Sequence, residues 1–173
     1  MAAVKSFFDS PSVKRAEDSR FNIFLSLLTV LSIIFLDRIT KIFFSRVLSV
    51  GESLPVIRNF LTMTLVHNTG IAFGLFRDQG IVFIIVPIIA IFLLFYNIFY
   101  YHRNQEELSR TYIIAFSMIL GGAIGNLIDR MVFGYVIDFI DLQVWPVFNI
   151  ADSAITLGAV IIAFNCIPRQ NRS

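Results

Sequence analysis

Carboxylates are the reactive side chains that this sequence gathers in one place. Twelve residues are acidic, and seven of them (Asp37, Glu52, Asp78, Asp129, Asp138, Asp141 and Asp152) fall in two connecting stretches or at the ends of the apolar runs that border them. No Ser–His or Cys–His pair accompanies them. His67 stands alone in LVHNTG, His102 lies in a different connection, and the single cysteine, Cys166, sits in an apolar run. One cysteine and two separated histidines give neither an intrachain disulfide nor a thiolate–imidazole zinc site. Two acids in a shared apolar site have another use. They can hold one proton between them, so that one activates water while the other polarises a carbonyl. Asp138-x-x-Asp141 offers a second chemistry, a divalent cation, on weaker spacing.

Each acid also has a plainer reading. In LDRITK, Asp37 and Lys41 are four residues apart and suit an i,i+4 ion pair at a helix end, or a pair that orients a nearby site. In GGAIGNLIDR, Asp129 and Arg130 form either a solvated interfacial ion pair or part of a site with Asn126. Gly121 and Gly125 in that stretch make a small-xxx-small face, and Ala154 and Gly158 repeat the spacing further on. If the two faces meet, Asn126, Asp129 and Arg130 come near Asp152. Asp138 lies between Ile137 and Phe139, on a strand with one wet face or in an apolar site. Asp152 opens an apolar run, where an acid serves as a helix cap or as a functional group.

The elements that must position these groups follow from composition. Of 173 residues, 57% are hydrophobic and 15% charged, with a mean hydropathy of +0.78. A soluble domain is nearer one quarter charged, so the excess points to a membrane protein. A net charge of +2 without a basic run gives no case for nucleic acid. A hydrocarbon core of about 30 Å needs roughly 20 helical residues. Four runs qualify: Phe21 to Leu36 with the turn after it, Ile81 to Tyr101 (containing Pro87), Tyr112 to about Ile128, and Ala151 to Ile167. The first is followed by DRITK rather than a small-residue cleavage site, so it reads as a retained span.

The division expected is a solvated leader over residues 1–20, a membrane domain over 21–168 and a tail over 169–173. Eight Lys and Arg residues flank the runs on the side of both termini, against six in the two longer opposite connections. That bias places both termini in the cytoplasm. LTMTLV alternates with a period of two, and YVIDFIDLQVW is rich in β-branched and aromatic residues. Both read as extended. The fold class expected is therefore a mainly α integral membrane protein, four transmembrane helices with a small extracytoplasmic β-sheet.

LDRITK, HNTGIAFG, GGAIGNLIDR, GYVIDFI and FNIADSAI, in that order along four apolar runs, closely resemble the bacterial lipoprotein signal peptidase (signal peptidase II) family. The resemblance covers most of the chain from the first run to the last. It implies an inner-membrane aspartyl endopeptidase, free of metal and cofactor, that cuts prolipoproteins just before a diacylglyceryl-modified cysteine. By motif position it implies that Asp138 and Asp152 are catalytic. It also implies that Asn68, Asn126, Arg130 and Asn149 hold the substrate backbone and the site, with Asp37, Lys41 and Asp129 in support. The partners it implies are the lipidated substrate and membrane lipid, acting on a monomer. The long leader and FGLF at Phe73 to Phe76 are less typical of the family. A transporter subunit would spread acids through the depth of its spans, and a metal-dependent membrane enzyme would rest on Asp138 and Asp141.

Overall fold

The computed structural model describes residues 11–70 and 109–166, together with the helical positions Ile85, Ile88, Ile89, Phe92 and Tyr96. Helix α1 runs Pro11–Val47, strand β1 Ser53–Ile57, strand β2 Leu61–Asn68, helix α2 Arg110–Phe133, strand β3 Val136–Asp141 and helix α3 Ile150–Cys166. The fold is mainly helical with one small antiparallel sheet ordered β1-β2-β3.

α1 starts ten residues before its apolar run. Residues 11–20, expected as a solvated tail, are helical. The polar stretch KRAED consists mostly of good helix formers, and it needs no apolar face to extend a helix already nucleated by the apolar run that follows it. At 1.5 Å per residue, 37 residues make a rod of about 55 Å. By length and composition, Asp18–Val47 and Arg110–Phe133 are able to cross a membrane, while the apolar helix at the end of the chain is shorter. The run Ile81 to Tyr101 lies outside the described residues apart from its five helical positions.

The surface and the interior have exchanged their usual composition. Phe24, Leu31 and Phe35 are 60%, 62% and 63% exposed, whereas Asp37, Lys41, Ser117, Asn126, Asp129, Asp138 and Asn149 are buried. Fully exposing a large apolar side chain to water forfeits about 1.5–3 kcal/mol. A hydrocarbon surround removes that penalty, and the interior then gathers the polar groups that lipid would not solvate.

Small residues bring the helices together, though not along the faces the spacing suggested. A Cβ on Gly121 would lie 3.1 Å from Ile33 Cβ and from the Val30 carbonyl oxygen, so this glycine faces α1. Gly122 is the one pressed against α3, where any side chain would collide with the Ala151 carbonyl. Gly125 sits between Asp37 of α1 and Ala151 of α3, and Gly158 of α3 abuts the Ala115 carbonyl. Consecutive helical residues differ by about 100° in direction, so one glycine cluster serves two neighbours. Ser26 and Ser117, 2.7 Å apart between hydroxyl oxygens, add a polar contact between α1 and α2.

Both segments expected to be extended are strands. β2 carries a bulge: Met63 pairs with Ile140 and Val66 with Asp138, so Thr64 and Leu65 stand against Phe139 alone. β1 is an addition to the expectation. Its five residues are all exposed, and Pro55 sits within it, as an edge strand allows. α2 ends at Gly134, whose φ of 79° is a left-handed cap that returns its N–H to the Arg130 carbonyl and turns the chain into β3.

Candidate active site

The start of α3 fixes the first acid. Asn149 caps the helix: its Oδ1 accepts from the Asp152 N–H at 2.9 Å, while Asp152 Oδ2 accepts from the Asn149 N–H at 3.3 Å. This is a reciprocal capping box with aspartate in the fourth position. The cap reading and the site reading of Asp152 thus hold together, because the box uses one carboxylate oxygen and aims the other. Asp152 Oδ1 accepts from Asn126 Nδ2 of α2 at 2.7 Å.

The second acid comes from the middle of β3. Asp138 is 1% exposed; its Oδ2 accepts from Asn68 Nδ2 at 2.9 Å and its Oδ1 from Asn149 Nδ2 at 2.7 Å. The chain brings Asn149 there by tying Phe148 to Ile140, with N–H to carbonyl bonds of 3.0 and 2.8 Å in the two directions. Asn149 therefore touches both acids, one through its backbone and one through its side chain. Burial pushes the Asp138 carboxyl up to about 7, and the charge of Asp152 pushes the same way; the Asn68 and Asn149 amides and the Lys41 charge oppose it. Arg130 feels the charges of Asp152, Asp138 and Asp129, in that order of strength.

Behind the two acids lies a buried ion cluster. Lys41 Nζ reaches Asp37 Oδ2 at 2.7 Å, Asp129 Oδ2 at 2.7 Å and Asn126 Oδ1 at 3.1 Å, so three acceptors meet its three N–H groups. The i,i+4 pair expected of Asp37 and Lys41 is present, but it is fully buried rather than at a solvated helix end. Asp37 Oδ1 also accepts from the Ala151 N–H, satisfying a free donor at the start of α3. Asp129 is buried rather than solvated. It pairs with Lys41 and with Arg38 Nη1 at 2.9 Å, and its Oδ2 accepts from the Ile137 N–H at 3.2 Å, fixing the backbone beside Asp138. Residue 129 faces α1, and the next residue points about 100° away.

All nine residues singled out from the sequence are thus described, and hydrogen bonds or charge join them in one network. Arg38, next to Asp37 in LDRITK, was missed; its partner lies on another helix, which sequence spacing does not show. Asp141 stands apart. Residues three apart on a strand face opposite sides, and Asp141 accepts from Thr64 Oγ1 at 3.0 Å and the Gln143 N–H at 2.7 Å. Asp138 and Asp141 therefore do not converge on one cation.

A family model described as Signal peptidase (SPase) II matches residues 29–167. A lipoprotein signal peptidase of Moorella thermoacetica is 41% identical over 142 residues, 82% of this chain and 91% of that protein. One from Halothermothrix orenii is 38% identical over 78% of this chain and 90% of its own length. A third, from Cupriavidus necator, is 36% identical over 99% of both. Two solved structures of a bacterial membrane enzyme, obtained by the in meso method, are similar in fold. Each has a TM-score of 0.73, with 30% and 32% identity over 86% and 84% of this chain and 93% and 94% of theirs.

Proposed function

The chain belongs to the signal peptidase II family, and from that premise we propose that Asp138 and Asp152 are the acids with which it hydrolyses prolipoproteins. The protein is a lipoprotein signal peptidase, a membrane hydrolase that removes signal peptides. One observation carries the assignment of the acids: both are held on Asn149, and every hydrogen-bond donor described on them is an uncharged amide.

In the proposed reaction Asp152 begins as the carboxylate, at a helix start where the helix dipole favours negative charge. It takes a proton from water as the water oxygen bonds to the scissile carbonyl carbon. Asp138 begins protonated, which its raised proton affinity supports, and gives that proton to the carbonyl oxygen. The tetrahedral diol then collapses. The C–N bond breaks, the proton on Asp152 passes to the leaving amine, and the diol hydroxyl returns one to Asp138. Asn68, Asn126 and Asn149 keep the acids apart and aimed. Arg130 supplies positive charge beside them, and Asp37, Lys41 and Asp129 anchor the frame.

The substrate we assign is a prolipoprotein carrying a diacylglyceryl cysteine, cut immediately before that cysteine. Its lipid keeps the scissile bond near the bilayer, which suits acids mounted where α3 begins and the sheet meets the helices. The enzyme is placed in the bacterial inner membrane as a monomer, with four spans within residues 21–168, both termini (1–20 and 169–173) cytoplasmic and the acids on the outer face. Reporter fusions at residue 105 should read cytoplasmic, and those near 60 and 140 external; the reverse pattern would overturn this topology. The test of function is to incubate the purified protein with a lipid-modified precursor and with the same precursor lacking lipid. Cleavage of the first alone is expected, and equal cleavage of both would remove lipid recognition from the reading.

A further inference from the structure

The sheet has a second face, and a cleft of about 670 Å³ opens there, between β2 and β3 and the end of α1. It is separate from the acids. His67 and Ile137 line it, whereas Asn68 and Asp138, one residue further along each strand, point the other way. α1 lends the cleft a stripe with Arg38, Ile42 and Arg46 on one side of the helix, and no carboxylate is among its described lining residues. Arg38 spends Nη1 on Asp129, and 28% of its side chain stays exposed. His67 stacks on Tyr135 at 3.9 Å, and Tyr135 on Phe133, which makes an aromatic wall. Around the mouth, Val47 and Phe133 are exposed apolar residues.

We propose that this cleft binds an anionic glycerophospholipid. The donors are ordered as such a lipid is ordered. Arg46, in the last turn of α1, meets the phosphate. Arg38, eight residues or about 12 Å back along the axis, turns the exposed part of its guanidinium side chain to the ester carbonyls. Ile42 and Phe133 take the start of the acyl chains. Free phosphate would use one guanidinium and leave the apolar stripe uncovered. Binding here does not depend on the roles assigned to Asp138 and Asp152.

The test is native mass spectrometry of the full chain in detergent, titrated separately with phosphatidylglycerol, phosphatidylcholine and inorganic phosphate. The first lipid held should be phosphatidylglycerol, about tenfold tighter than phosphatidylcholine, as one charge-assisted contact implies. Arg46→Gln, at an exposed position, should remove most of that preference, and Arg38→Gln should weaken retention of both lipids. Equal retention of the two lipids, an unchanged preference in Arg46→Gln, or displacement of the lipid by phosphate at matching concentrations would each overturn the proposal.

Discussion

Two pairs of carboxylates lie close together in this protein, joined through Asn126, and they are held in opposite ways. Asp37 and Asp129 share Lys41, which sits 2.7 Å from each, and Arg38 adds a second cation. Asp138 and Asp152 share Asn149, and their described hydrogen-bond donors are amides. A cation between two carboxylates ties both to one place and fixes them as structure. Neutral donors orient the carboxylates without settling where a proton rests, so the second pair remains free to exchange one. The same residue type thus serves as mortar in one pair and, in the reaction proposed above, as reagent in the other.

The contrast breaks most visibly if the pairs are altered one at a time. Asp138→Asn and Asp152→Asn should each lower cleavage of a lipidated precursor by about 10²–10⁴-fold or more, the usual worth of a positioned acid or base. Helicity should persist, since an amide at 152 still accepts within the capping box. A folded Asp152→Asn enzyme with normal turnover would dismiss the pair as reagent. Lys41→Met should act on stability instead. Two buried carboxylates lose their cation, at a cost of about 3–5 kcal/mol, read as a lower unfolding midpoint in detergent. An unchanged midpoint would mean that the cluster is not structural.

The third prediction uses proton affinity. Asp138 binds its proton more tightly folded than unfolded, so its contribution to stability is complete below about 3.8, declines as pH rises, and is gone above about 7. Asp138→Asn cannot titrate there. The stability difference between variant and parent should shift in the variant's favour between pH 4 and 7 and then level off. The slope carries the test, because the amide also disturbs Asn68 or Asn149 by a constant amount. Cleavage by the parent should fall as pH rises through about 7; a rate still rising there would deny Asp138 the role of acid. The smallest effects belong outside both pairs. Asp141→Asn should keep most of its activity, and EDTA should leave the enzyme unaffected. Loss on chelation, restored by one divalent ion, would favour a metal mechanism.

Element positions were largely legible because lipid imposes a simple rule: apolar runs of sufficient length become helices, and α2 and α3 start within two residues of their expected starts. β2 and β3 announced themselves by alternation and β-branched content. β1 did not, since an edge strand with no buried face leaves no pattern to read. Within the site, i,i+4 spacing revealed Asp37 with Lys41, because both lie on one helix. The remaining partners of Lys41 and Asp129 cross between helices, and only packing decides those. Asp138 and Asp152, taken singly, looked like a strand residue and a cap. The family motifs, and not local chemistry, paired them. The distance in a strand between residues three apart would already have set Asp141 aside.

The bond from the Ala151 N–H to Asp37 joins residues 114 positions apart in the chain. During synthesis α1 enters the bilayer long before α3 exists, carrying Asp37 and Lys41 as a self-contained pair. Asn149 and Asp152 are supplied only with the last helix, which must dock on α2 and against Asp37 before the acids meet. With Asp138 and Asp152 as the proposed acids, a chain that has not yet docked α3 should cleave nothing.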